Sequence, residues 1–345
     1  MVPSLTIMAR QSNIFRALVL LNFLLPLILG GLETKRSSCV KVSAALLFWY
    51  VPDRPEHTVP FWHDPGFRSA IELLDTQHCI RVEWFNIAID DTKESLIQAI
   101  VSGRVDFVLA KGCWHTPADK TVRAHIKSIA AERGIKVGIF PACSSPPPAD
   151  EVTGQLISLA YDVVFFDKVW LAPTYAHHPR AVHAFGVDNP ATFNDTAAIP
   201  WADAPKLFDH VSVGILAPWK RHEGLLSKGG ARLVVGYGWR GDQSSGIVSL
   251  LFSAGVAVWQ GVPPSHMCAV YRASRRVFMG ATDIGGGERV VLEARSCGVP
   301  VSAIETAADN PAIAEFIHGP IWNTSYYAAQ LSSGIRAAMA PPPPP

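Results

Sequence analysis

The feature that most constrains this fold is a recurrence of short, strand-like apolar runs with helical segments between them. Residues 42–50, 80–88, 105–110, 135–140 and 162–166 read as buried parallel strands. Between them, 92–102 is amphipathic and stops at Gly103, and 118–133 is amphipathic and stops at Gly134, glycine being the usual residue just past a helix end. Strand, helix and strand in alternation fold as a parallel sheet with helices on its faces, which gives a first Rossmann-like domain. The pattern returns at 211–216, 233–235, 256–259, 277–279 and 299–302, which gives a second. Both periodicities fail within 189–206, where the linker is expected. At 345 residues, 49% hydrophobic and 17% charged, the chain has apolar material for two domains of ordinary size.

One segment reads as loop, helix and strand in succession. Gly285, Gly286 and Gly287 free the backbone, an apolar-periodic run through Cys297 makes a helix, Gly298 stops it, and Val299-Pro300-Val301 begins a strand. A glycine loop entering a helix N-terminus presents unpaired N–H groups and the positive end of the helix dipole, so it is an anion site with phosphate as the expected occupant. The helix carries Glu288 in its first turn, where the dipole alone stabilises an acid by about 0.3–1 kcal/mol. Glu293, flanked by Leu292 and Ala294, is harder to assign to a solvated face.

The run Leu292-Glu293-Ala294-Arg295-Ser296-Cys297-Gly298-Val299-Pro300-Val301 resembles the L-E-A-x-x-x-G-x-P-V block of the family-four (group 1) glycosyltransferases. Further segments are similar to that family in the same order. Val182-His183-Ala184-Phe185-Gly186-Val187-Asp188, with Phe193 beyond it, resembles the N-G-V-D-x-x-x-x-F element that closes the first domain. Val213-Gly214-Ile215-Leu216-Ala217-Pro218-Trp219-Lys220 resembles the V-G-R-L…K-G strand and turn. Arg232-Leu233-Val234-Val235-Gly236-Tyr237-Gly238 resembles the L-x-I-V-G-x-G strand, and Val256-Ala257-Val258-Trp259-Gln260-Gly261 and Ala269-Val270-Tyr271-Arg272-Ala273-Ser274 the V-x-F-x-G and Y-x-x-A elements. The resemblance covers about residues 182–316 and is only architectural upstream.

It implies an α/β chain of GT-B type, two Rossmann-like domains facing across a cleft, with a nucleotide sugar held by the second. Gly214, Lys220, Arg221, Gly236, Gly238, Gly285, Gly286, Gly287, Glu288 and Glu293 would form the donor site. Glu293 would hold the ribose and Lys220 the diphosphate, with Glu288 and Lys220 in the catalytic roles. Transfer would proceed with retention, with no obligatory metal and no covalent protein nucleophile, the nucleotide sugar being a co-substrate and not a bound cofactor. Two departures stand out. The first glutamate of the family's E-x7-E pair falls on Gly285, with Glu288 three residues further along, and the arginine of V-G-R-L is replaced by Ile215, leaving Lys220 and Arg221 as the cations of that turn. Gly236-Tyr237-Gly238-Trp239-Arg240-Gly241 also fits G-x-G-x-x-G, but the acid that a dinucleotide site needs about twenty residues on is missing.

Residues 1–36 are expected to be a signal peptide or signal anchor. The uncharged run 17–32 spans about 24 Å as a helix, short of the roughly 30 Å hydrocarbon core; Pro26, Gly30 and Gly31 favour cleavage, Arg10 and Arg16 a type II anchor. Either way the body would leave the cytosol, lumenal and membrane-associated or secreted, and the sequons at Asn194 and Asn323 are compatible with that. The remaining chain divides into an acceptor domain at 37–200, a nucleotide-sugar domain at 201–338 and a disordered polyproline tail at 339–345. Six scattered cysteines with no C-x-x-C pair argue against zinc and read as buried free thiols, one disulfide being possible in a lumenal compartment. Net charge +1 without a basic patch argues against nucleic acid.

The acceptor, a carbohydrate or glycoconjugate, is expected at loops of the first domain, where His63, Trp114 and His115 could stack on or deprotonate a sugar. The competing function class is a non-catalytic, two-lobed α/β secreted solute-binding protein.

Overall fold

The apolar runs become the strands of two all-parallel sheets. The computed structural model describes residues 39–48, 65–86, 90–112, 117–141, 160–167, 172–188, 205–238, 241–263, 266–280, 288–303 and 317–341. In chain order the first sheet and its helices are β1 (Val42–Phe48), α1 (Pro65–His78), β2 (Ile80–Asn86), α2 (Asp90–Val101), β3 (Phe107–Gly112), α3 (Pro117–Glu132), β4 (Lys136–Pro141), β5 (Val163–Phe166), α4 (Ala172–Tyr175) and β6 (Ala181–His183). The spatial order is β2-β1-β3-β4-β5-β6, every pairing parallel. Because side chains alternate along a strand, β1 sends Ala45 and Leu47 to one face, under Leu96 and Ile100 of α2 and Ile126 of α3. It sends Val42, Ala44 and Leu46 to the other, under Phe67, Ile71 and Leu74 of α1.

The second sheet is built from β7 (Phe208–Val213), β8 (Arg232–Gly236), α5 (Gly241–Ser253), β9 (Ala257–Gln260), α6 (Met267–Arg272), β10 (Ser274–Met279), α7 (Glu288–Ser296) and β11 (Val301–Ala303). Its order is β11-β10-β7-β8-β9, again all parallel. Val211, Leu233 and Val277 pack under α6 and α7, while Val234 and Phe278 face Leu251 of α5. The first strand of this sheet starts and ends earlier than the apolar run 211–216, since Gly214 breaks the extended backbone and Leu216 keeps only an isolated bridge to Gly238.

The last helix, α8 (Thr324–Met339), follows the second sheet in sequence but buries its side chains in the core of the first. Its apolar stripe, Tyr327, Leu331, Ile335 and Ala338, has helical spacing and lies beside α1. The Tyr327 ring sits 5.7 Å from that of Phe67 and 6.2 Å from that of Phe140, and Arg336 donates to the His78 carbonyl at 2.6 Å. Asn323 caps the helix, its side chain accepting from the Tyr326 amide at 2.9 Å, and the same residue bridges Val187 just past β6. The described chain just past β6 and the residue that caps α8 are therefore adjacent. Assigning 201–338 to a single second domain misses this return, because a helical stripe alone does not say which sheet it covers.

The cysteine expectation is also corrected. Cys39, Cys79, Cys268 and Cys297 are all disulfide-bonded, and among the described residues no cysteine is free. Cys268 of α6 pairs with Cys297 just past α7, their Cα atoms 5.6 Å apart, a normal spacing for the bond. The pairing joins the ends of two helices that only the folded sheet brings together. No helix of the described residues is long and apolar enough to cross a membrane; the 17–32 run and Asn194 lie outside them.

Leu331 is fully buried where α8 meets the first sheet. Leu331→Ala should lower the unfolding free energy by about 2–5 kcal/mol, measured by urea titration, and an effect below 0.5 kcal/mol would detach α8 from that core.

Candidate functional site

In the second sheet the chain runs outward from β7 to β8 and β9 on one side and to β10 and β11 on the other. The order reverses between β7 and β10, and open α/β sheets bind ligands in the crevice expected beyond the carboxyl ends of the strands at such a switch point. Among the described residues, the turn after β7 and Gly280 just past β10 meet at that end of the sheet.

The turn after β7 is tightly built. Gly214 has φ +152°, a region that side chains avoid, and its amide donates to the Val235 carbonyl at 2.9 Å. Leu216 donates to the Tyr237 carbonyl at 2.9 Å, so the turn follows the exit of β8. Gly236 lies flat on the Gly214 carbonyl, where a Cβ would collide with the oxygen. A 3-10 turn over Pro218–Lys220 follows and closes on Arg221, which adopts the left-handed conformation at φ 49°, ψ 42°. The Lys220 side chain folds back over Gly214, its Cδ and Cε 3.5 and 3.6 Å from where a Cβ would stand. From the other side, Gly280 at the end of β10 rests on the carbonyl oxygens of Lys220 and Arg221. Lys220 is thus held at the ends of β7 and β10.

His222 lies behind this turn and is almost wholly buried, at 1% exposure. Its Nε2 donates to the Ile215 carbonyl at 3.0 Å, and its Nδ1 accepts from the Ser212 hydroxyl at 2.9 Å. A carbonyl only accepts, so this pair of bonds fixes the neutral tautomer. Burial, with the Lys220 charge adding to it, pushes the imidazole pKa down to about 4.

Glu293 of α7 is buried, and the hydroxyl of Tyr271 on α6 donates to its Oε2 at 2.7 Å. Burial, followed by the Glu293 charge, raises the Tyr271 pKa well above its usual value, so the phenol stays a donor. Arg289, one turn before Glu293 on α7, exerts its charge on Tyr271 and on the half-exposed Tyr237 after β8.

Gly214, Lys220, Arg221, Gly236 and Gly238 are accordingly brought together, with Glu293 on the adjoining helix. Glu288 is the first residue of α7. Gly285, Gly286 and Gly287 lie outside the described residues, as do His63, which falls between β1 and α1, and Trp114 and His115, which directly follow β3. Reasoning from sequence missed Ser212, His222, Tyr271 and Arg289 as site neighbours. Tyr271 stood in the Y-x-x-A element and carried a signal; Ser212 and His222 carried none, since nothing local couples residues on a strand and a later turn. Among the described residues no group of three or more His, Cys, Asp or Glu is placed to hold a metal ion.

No family model matches the chain and no curated protein matches it. Solved structures do. A glycosyltransferase from Rickettsia africae is similar at TM-score 0.53 with 13% identity, over 87% of this chain and 93% of that one. Anabaena Alr3699/HepE in complex with UDP and glucose is similar at TM-score 0.51 with 16% identity, over 86% of this chain and 90% of that one. At such identity the likeness concerns the fold, and the fold is of the GT-B type: two Rossmann-like lobes, each a parallel sheet between helices.

His222 makes stability depend on pH. Its folded pKa lies below the unfolded value of 6.5, so the unfolded chain takes up the proton first as pH falls. The contribution is complete above about pH 6.5 and is lost towards pH 4, amounting to about 3 kcal/mol. His178 and His210, whose pKa values burial also lowers, add to the same slope. Urea titrations from pH 7 to 4.5 should show the decline, and His222→Gln should flatten it.

Proposed function

We propose that this protein is a glycosyltransferase that moves a sugar from a nucleotide-sugar donor to a carbohydrate or glycoconjugate acceptor, akin to the family-four enzymes. The observation that carries the reading is the GT-B fold, with the Lys220 side chain folded over Gly214 in the turn that leaves β7 at the switch point of the second sheet. The fold similarity to Alr3699/HepE, a protein crystallised with UDP and glucose, makes a uridine diphosphate sugar the first donor to try.

In this reading Glu293 accepts from the ribose hydroxyls, while Lys220 and Arg221 face the diphosphate with the amino end of α7. As the bond from the sugar to the diphosphate breaks, negative charge gathers on the leaving phosphate. A preorganised ammonium and a helix N-terminus stabilise that charge more than they stabilise the bound donor, which is what lowers the barrier. Glu288, at the head of α7, would address the donor sugar, and the loops bearing His63, Trp114 and His115 would hold the acceptor. Transfer with retention and without an obligatory metal follows from the family likeness. The sequence division into an acceptor lobe up to residue 200 and a donor lobe after it is retained, with α8 returning to the first. Four disulfide-bonded cysteines accord with delivery of the body to an oxidising compartment, lumenal if residues 1–36 anchor the chain and secreted if they are cleaved.

UDP or GDP at a hundred times its Kd should raise the stability of the protein by about 2.7 kcal/mol, seen as a thermal shift; a solute receptor of the same shape would not respond. Lys220→Ala should weaken nucleoside-diphosphate binding tenfold to about a hundredfold by calorimetry, since a charged hydrogen bond contributes roughly 1.5–3 kcal/mol. An unchanged affinity on a folded variant would remove Lys220 from the site.

Arg221 separates stability from binding. Its left-handed backbone costs roughly 1 kcal/mol that glycine would not incur, so Arg221→Gly should raise the unfolding free energy by about that amount. The same change should weaken UDP or GDP binding. A variant that is more stable and binds as well as the wild type would show that Arg221 has no part in holding the ligand.

A further inference from the structure

The Ile215 carbonyl lies inside the turn that carries Lys220. It accepts two hydrogen bonds, from the Ala217 amide at 2.8 Å and from His222 Nε2 at 3.0 Å. Both lone pairs are thereby used. A carbonyl oxygen turned towards a diphosphate would oppose it, and little screening operates in a crevice lined by low-dielectric protein. The opposition matters more here because Ile215 itself brings no cation, leaving the turn to Lys220 and Arg221.

We propose that His222 is a positioning residue of the donor site: its Nε2–H holds the Ile215 carbonyl inside the lobe, so that the turn presents its cations and not a carbonyl dipole to a nucleoside diphosphate. This rests on the functional reading above. Three features single out His222 for that work. It is buried against the turn, with its Cε1 3.7 Å from where a Cβ on Gly214 would stand. Its donor is aimed by Ser212, a residue of β7 that is itself 2% exposed and whose hydroxyl occupies Nδ1. The imidazole also stays neutral next to Lys220, so it donates without adding a charge that would repel the ammonium. Strand, serine, histidine and carbonyl thus form one chain of hydrogen bonds from the sheet to the phosphate-facing turn, all of it within residues 212–222.

The test is the affinity of the full-length protein for UDP and GDP, measured by calorimetry at neutral pH. His222→Gln places an amide N–H near the position of Nε2 and should bind within about twofold of the wild type. His222→Asn reaches only the position of Nδ1, leaves the Ile215 carbonyl without that donor, and should bind about tenfold more weakly. Ser212→Ala, which removes the hydroxyl that holds Nδ1 and aims the ring, should weaken binding about threefold and decides the matter if His222→Asn does not fold. Equal losses in the glutamine and asparagine variants would mean that His222 only fills space, and wild-type affinity in the asparagine and alanine variants would equally overturn the proposal. Either result leaves the functional reading standing. A wild-type protein that binds neither nucleotide overturns that reading and this proposal with it.

Discussion

The close approach of two backbones, with Gly236 against the Gly214 carbonyl, is the constraint on which the second lobe's site depends. Adjacent parallel strands lie about 4.8 Å apart, and a side chain at position 236 would have to displace the turn that leaves β7. With hydrogen there instead, the turn lies along the exit of β8, fixed by the Gly214 and Leu216 amides. Lys220 then comes back over Gly214 into the crevice, and Gly280 closes on it from β10. Gly236, the first glycine of a run that resembles a dinucleotide fingerprint, therefore has a different use, which with Gly214 and Gly280 is to let three chain segments meet with no side chains between them.

Much of this was legible in the sequence, and the reason is physical. Strands buried on both faces need nearly continuous apolar residues, so the runs at 42–50 and 135–140 announced β1 and β4 to within a residue or two. The helix at 118–133 was bounded as well, since Gly134 follows it with φ +68°. Gly214, Gly236 and Lys220 were singled out by the family resemblance, and the fold brings these three together at one turn.

What stayed hidden was whatever depends on distance across the fold. The stripe on α8 fits any apolar face, and only Phe67, Phe140 and the His78 carbonyl determine which one it takes. Cys268 and Cys297 sit 29 residues apart, and no local signal pairs them. Ser212 and His222 show the same limit more sharply: each is unremarkable alone, and their hydrogen bond exists because a turn folds back on its own strand.

The disulfide and the buried carboxylate belong to one construction. Cys268 precedes Tyr271 by three residues on α6, and Cys297 follows Glu293 by four at the end of α7, so each pair lies one turn apart on its helix. The covalent bond and the 2.7 Å hydrogen bond are therefore neighbouring rungs between the same two helices. A hydrogen bond to a buried carboxylate tolerates only a few tenths of an ångström of slip before the charge is left short of partners, which costs several kcal/mol. Helices packed through apolar contacts alone, such as Val270 and Ala294, slide more easily than that, because dispersion contacts are individually weak and have no direction. The cross-link removes the freedom to slide, and α7 is held in register with Glu293 against the Tyr271 hydroxyl.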